Sequence, residues 1–171
     1  LEMSTALRFT ELFGCNIQAF TTPFNISLPY YTSFFNEDRE FGSLGTFADI
    51  NMKSGCVLGV LPSLDSFIAE VFEKITKELK ESEQPLRYVL MIENSPEIQN
   101  IYLYTESPYT IEIAYTEPRK VRLTNGLTIN DENVYISPYS YAVIMMQNTQ
   151  ARNIWSTEEG IIRDNIVSLF E

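Results

Sequence analysis

The sequence contains no histidine, only two cysteines and only seven glycines among 171 residues. The missing histidine excludes Ser-His-Asp and Cys-His nucleophilic machinery, and every metal site that depends on imidazole. Cations are also scarce: 12 Lys and Arg stand against 23 Asp and Glu, a formal net charge of −11. Duplex nucleic acid is held by counterion release from a basic surface, so this balance has the wrong sign for autonomous nucleic-acid binding. No run of the sequence reads as a basic patch. No apolar stretch reaches the ~18–20 residues of a membrane helix, so no membrane span is expected. Cys15 and Cys56 lie in apolar stretches with no CxxC pair, which predicts buried free thiols in a reducing compartment, cytoplasm or nucleus. No secretory signal is legible, and Leu1-Glu2 reads as a cloning remnant ahead of Met3. The sequon Asn25-Ile26-Ser27 therefore carries no meaning.

What is present is a globular composition, 44% hydrophobic and 13% aromatic. One domain over residues 1–171 is expected, burying ~70% of the surface its unfolded chain exposes. Asn16 to Phe20 alternates polar and apolar residues before Thr21-Thr22-Pro23 and predicts a strand. Thr46 to Ile50 predicts a second, short strand. Cys56-Val57-Leu58-Gly59-Val60-Leu61 is a continuous apolar run ended by Pro62, the signature of a strand buried on both faces of a parallel sheet. A helix follows from Ser63, its apolar face carrying Phe67, Ile68, Val71, Phe72, Ile75 and Leu79, with Ser63 as cap and Asp65 at its positive end. Arg87 to Ile92 is the next buried strand.

Beyond Asn100 the pattern turns antiparallel. Ile101 and Leu103, Ile111 and Ile113, Val121 and Leu123, and Leu127 and Ile129 all alternate with polar residues, and Asn125-Gly126 is a strong hairpin signal. Tyr141 to Met146 is a last strand, and an amphipathic helix closes the chain from about Thr157 to Phe170. The expected fold is an α/β mixed sheet with antiparallel C-terminal strands.

Few constellations carry chemistry. Glu37-Asp38-Arg39-Glu40 lacks the spacing and glycine of a calcium loop and reads as a solvated segment, so no metal is expected. Phe41-Gly42-Ser43-Leu44-Gly45 is a loop whose glycines would admit a ligand against backbone. Asp49, at a predicted strand end, is placed where α/β sheets put an acid for ribose hydroxyls. Val60-Leu61-Pro62-Ser63 joins a buried strand to a helix, the position where such folds carry their chemistry, yet it offers a single hydroxyl.

The order of segments adds a resemblance. Leu12-Phe13-Gly14, the strand Asn16 to Phe20, Thr22-Pro23-Phe24-Asn25, Phe41 to Gly45, Ser54-Gly55, Ser82-Glu83-Gln84-Pro85-Leu86, and Ala142 to Asn148 followed by Trp155 resemble the phosphorylated-CTD-interacting-factor family. Those proteins are mRNA cap adenosine N6-methyltransferases that use S-adenosylmethionine. The resemblance runs from about Leu12 to Phe170 and implies a Rossmann-like methyltransferase-type fold. It implies cofactor-facing positions at Thr22, Pro23, Asn25, Phe41, Gly42, Ser43 and Asp49. It also implies an Asn-Pro-Pro-Phe signature where this sequence has Val60, Leu61, Pro62 and Ser63. Asn→Val removes the acceptor for the adenine amine and Phe→Ser removes the stacking ring, a severe loss for a site built on a hydrogen bond. The family's larger members carry a helical region and a WW domain ahead of this core, and neither is legible here.

The expectation is a catalytically inactive methyltransferase-like domain, a structural or regulatory subunit bound to a protein partner in mRNA processing or a viral assembly, with no cofactor. The aromatics between Phe20 and Phe47 would supply an interface or, more simply, core packing. The alternative is an active S-adenosylmethionine-dependent methyltransferase on RNA or another substrate, with Asp49 or Glu93 as base. A third possibility is RNA binding without catalysis.

Overall fold

In the computed structural model, residues 1–124, 134–155 and 161–170 are described. Helix α1 (Met3–Phe13) precedes strands β1 (Ile17–Ala19) and β2 (Tyr30–Tyr31). A 3-10 turn at Asn36–Phe41 leads on to β3 (Gly55–Val60), α2 (Asp65–Glu81), β4 (Leu86–Glu93) and α3 (Ile101–Thr105). The remainder is β5 (Thr110–Tyr115), β6 (Arg122–Thr124), β7 (Val134–Ile136), β8 (Tyr141–Gln147), α4 (Thr149–Ile154) and α5 (Ile161–Ser168).

Six strands form one sheet in the order β2-β1-β3-β4-β8-β5. The first four are parallel, and β8 runs antiparallel to both its neighbours. This is a Rossmann-like α/β mixed sheet with antiparallel C-terminal strands. The apolar run of β3 is explained by its place between β1 and β4, with helices over both faces. Alternation along β4 divides the core. Val89 and Met91 pack with Phe9, Phe13, Ile162 and Ile166 beneath α1 and α5, whereas Tyr88, Leu90 and Ile92 pack with Ile68, Val71, Ile75 and Tyr104 beneath α2 and α3. Cys15 and Cys56 are free and buried side by side, Sγ to Sγ 3.0 Å. Burial and the neighbouring thiol push the Cys15 thiol well above its ordinary range.

Several sequence expectations are corrected. Helix α1 was not anticipated, although Ala6, Phe9 and Phe13 mark its buried face, and Gly14 at φ 72° caps it through a bond to Thr10 O. Thr46 to Ile50 is a turn with one bridge from Thr46 to Ser33. The Asp49 carboxylate accepts from the Thr46 hydroxyl at 2.7 Å, a local bond that competes with strand pairing. Ile101 and Leu103 sit in α3, because Asp65 accepts the Gln99 and Asn100 amides at 2.8 and 2.7 Å and Tyr104 docks on α2 through Ile68 O. Helix α2 begins at Asp65 after Leu64, with Ser63 turned instead toward Glu93. The described partner of β6 is β7, in a separate two-stranded sheet. The Asn125-Gly126 turn with Leu127 and Ile129, and residues 157–160 of the closing helix, lie outside the described residues; α4 was not anticipated.

Polar anchors hold the amino-terminal edge of the sheet. Glu78, buried on α2, accepts from Met52 N at 2.9 Å, from Lys74 Nζ at 2.8 Å and from the Tyr88 hydroxyl. Burial and the Glu78 charge drive the Tyr88 pKa well above that of a free phenol. Removing one member of such a network strands the others, so Glu78→Ala should cost about 3 kcal/mol or more in urea denaturation. A loss near that of a surface substitution would show the network to be dispensable.

Candidate functional site

Successive connections leave β1 and β3 in opposite directions: β1 leads outward to β2, and β3 leads through α2 to β4. The crevice outside the carboxyl ends of β1 and β3 is therefore the switch point, where open α/β sheets bind ligands.

Phe20 occupies it. The residue immediately after β1 takes φ 58°, a conformation that costs a non-glycine residue roughly 1–2 kcal/mol. Its ring lies 4.6 Å from Phe47, 5.5 Å from Phe67 on α2 and 6.1 Å from Phe34, centroid to centroid. Aromatic pairs of this kind contribute ~0.5–1.5 kcal/mol each beyond area burial, enough to offset the backbone cost. The ring also covers Gly59 on β3, where an added Cβ would come within 3.2 Å of Phe20 Cε2.

Two hollows border the ring: one of about 180 Å³ lined by Phe20, Phe34, Phe47 and Phe67 among others, and one of about 280 Å³ bordered by Gln18, Phe20, Thr22, Asn25, Val60, Thr124 and Tyr135 among others. The larger is just below the ~300–1,000 Å³ of ordinary ligand clefts. Its polar groups are largely turned on the protein itself. Gln18 donates to Asn25 O at 3.2 Å and accepts from Ser27 N at 2.8 Å. Thr21 Oγ1 donates to Asn25 O at 3.2 Å, and Asn25 Oδ1 accepts from Thr124 Oγ1 at 3.3 Å.

The loop after β3 is equally engaged. Leu61 is buried and donates its N–H to Met91 O at 3.0 Å, while the Pro62 carbonyl accepts Leu64 N at 2.8 Å. Ser63 Oγ donates to Glu93 Oε2 at 2.9 Å, a hydroxyl–carboxylate pair at the ends of adjacent strands. With no imidazole in the chain, nothing joins them into a relay.

The sequence-derived positions do not converge. Thr22 and Asn25 border the 280 Å³ pocket, with Pro23 between them in the loop after β1. Phe41, Gly42 and Ser43 belong instead to the turn beyond β2, where the Tyr31 hydroxyl donates to Phe41 O at 3.0 Å and Ser43 Oγ donates to Gly45 O at 3.1 Å. Gly45 at φ 126° lies beneath the Arg39 guanidinium, which explains the glycine without a ligand. Asp49 is exposed in its turn, and hydrogen bonds from Thr46 and then Asn36 hold its carboxyl below the usual range. Among the described residues, no group of His, Cys, Asp and Glu is placed to hold a metal ion. No described helix is long and apolar enough to cross a membrane. Phe20 went unremarked as a site residue in the sequence; the signal was a large aromatic directly after a strand at the switch point, where a close backbone turn favours glycine.

Sheet and crevice together define an α/β domain with a Rossmann-like mixed sheet. The family model described as the phosphorylated CTD interacting factor 1 WW domain matches residues 3–126, from α1 to just beyond β6, and the chain belongs to that family. Among solved structures, the chain is similar to a candidate methyltransferase from Thermoplasma acidophilum at 8% identity and a TM-score of 0.40, covering 79% of this chain and 68% of that one. A comparison with curated proteins finds no match.

The crevice makes a specific prediction about Phe20. Phe20→Ala removes the ring and keeps the strained backbone, whereas Phe20→Gly removes both, so the glycine variant should be the more stable by about 1 kcal/mol. Chemical denaturation of the two variants measures the difference; an alanine variant as stable as the glycine one would contradict the strain.

Proposed function

We propose that this chain is a methyltransferase-like domain without methyl-transfer chemistry, acting as a noncatalytic structural or regulatory subunit bound to a protein partner. The observation that carries this is the crevice at the ends of β1 and β3. Phe20 lines it, and the loop Val60-Leu61-Pro62-Ser63 beside it offers no side-chain amide, carries no aromatic ring and spends its Leu61 N–H and Pro62 carbonyl within the fold. Methyl transfer to an amine needs an acceptor that orients the amine and a bound donor with its methyl in line. These residues supply neither. S-adenosylmethionine is accordingly not a resident cofactor, and the two buried free thiols suit a reducing compartment such as cytoplasm or nucleus. The resemblance to an mRNA-modifying family favours an mRNA-processing or viral assembly as the setting.

One observation favours the alternative of an active S-adenosylmethionine-dependent enzyme: Thr22 and Asn25 do border a pocket at the switch point. Such an enzyme would need Glu93, at the end of β4, or Asp49 as its base. The two accounts separate in a transfer assay with tritium-labelled S-adenosylmethionine, using capped RNA, uncapped RNA and a protein mixture as acceptors. The noncatalytic account expects no incorporation above the no-protein control. Incorporation that Glu93→Gln abolishes would overturn it.

A further inference from the structure

Cations are few in this chain, yet four of its 12 converge on one cleft. Arg8 reaches it from α1, Arg119 and Lys120 from the turn after β5, and Arg122 from β6. The cleft encloses about 400 Å³, and Ile136, Leu169 and Phe170 supply an apolar wall. The net charge conceals the cluster: Arg119-Lys120-Val121-Arg122 is a short basic run, and the fold adds Arg8 from the other end of the chain. This corrects the expectation that no basic patch exists.

The four cations are not equally engaged. Arg8 donates to Ser168 O at 3.0 Å and to Leu169 O at 3.4 Å, which fixes its guanidinium at the end of α5. Arg122 faces Glu2 at 3.6 Å, with more than half of the arginine side chain exposed; such a pair is weak. Arg119 and Lys120 are exposed and make no hydrogen bond or ion pair among the described residues. Arg119 also stands at φ 64°, following Pro118 in a turn whose second central position favours glycine. A long cation is thus held on strained backbone at the rim of the cleft.

We propose that this cleft binds an acidic segment of a protein partner. Asp or Glu carboxylates seat on Arg119, Lys120 and Arg122, and the apolar residues between them pack against the exposed Ile136 and the edges of the buried Leu169 and Phe170. Guanidinium forks match carboxylates in bidentate geometry, and the apolar wall gives a peptide a second point of contact. A nucleic-acid strand brings a phosphate, which the cations would also hold, at every nucleotide. Beyond the cleft those charges would lie over a surface whose overall charge is −11. The proposal rests on the partner-bound role above and names the partner's chemistry.

The test is fluorescence anisotropy with a labelled short peptide of alternating Glu and Leu, with a random single-stranded RNA of equal length and inorganic phosphate as competitors. At low salt the full chain should bind the peptide saturably, with a Kd on the order of 10–100 μM, and binding should fall steeply near 0.5 M salt as exposed charges are screened. Arg119→Glu with Lys120→Glu should weaken binding about tenfold or more while leaving thermal melting unchanged. Arg119→Gly should weaken binding and raise the melting temperature, a combination that a purely structural arginine would not give. The proposal is overturned by absence of saturable binding, by unchanged affinity in the charge-reversed variant, or by RNA or phosphate displacing the peptide at equal concentration. Methyl transfer by a chain that also binds the peptide would overturn the noncatalytic role and leave the cleft standing; absence of both overturns the cleft alone.

Discussion

The carboxyl edge of the sheet is organised by one side chain, Phe20, held in a left-handed conformation directly after β1. That backbone choice sends the ring into the switch-point crevice, where Phe34, Phe47 and Phe67 close around it. The start of α2, the turn beyond β2 and the strand β3 are thereby packed onto a shared aromatic centre. Gly59 follows from the same constraint, since any larger residue would meet the ring. The loop after β1 turns its polar groups inward, Gln18, Thr21 and Asn25 bonding within the loop and to Ser27. The crevice that α/β sheets ordinarily leave open for a ligand is here lined by aromatic rings.

The opposite edge is held by polar groups. Arg87 is buried at the start of β4 and donates to Gln147, to Phe13 O and to Trp155 O, joining β8, the end of α1 and the end of α4. Asn148 accepts from Leu86 N and Ala151 N and donates to Gln84 O, so one amide caps α4 and seats the turn before β4. With Glu78 these groups satisfy the backbone and charge that a sheet covered on both faces would otherwise leave buried and unpaired. The molecule thus has an aromatic end and a hydrogen-bonded end, with the chemistry-bearing loop at the aromatic one.

How much of this was legible depended on whether a residue's role was local. The apolar run of β3, the periodicity of α2 and the alternation around β5 reported their burial directly, because helix and strand periods are properties of neighbouring residues. The parallel character of β3 followed from its lack of polar positions. Thr46 to Ile50 and Ile101 to Leu103 depart from the strand pattern because side-chain bonds decide their conformation: the local Thr46 hydroxyl and the more distant Asn36 amide on Asp49, and Asp65 on the start of α3. Glu78 was recoverable, since it falls three residues after Ile75 on the buried face of α2. The aromatic lining of the crevice was not, because Phe20, Phe34, Phe47 and Phe67 meet only through the topology. The basic cleft lies between these cases, with three cations visible as a run and the fourth supplied by the fold.

The resemblance implies a signature that Val60 to Ser63 do not carry, and the structure sets the Phe20 ring in the same pocket as Val60. Together they make the absence of a methyl donor the central claim. Isothermal titration calorimetry of the full chain with S-adenosylmethionine and S-adenosylhomocysteine tests it most directly. The account predicts no binding heat for either ligand at concentrations on the order of 1 mM, a limit of about −4 kcal/mol. Stoichiometric binding with a Kd near 1 μM, about −8 kcal/mol, would contradict it, because the chain would then hold a resident methyl donor.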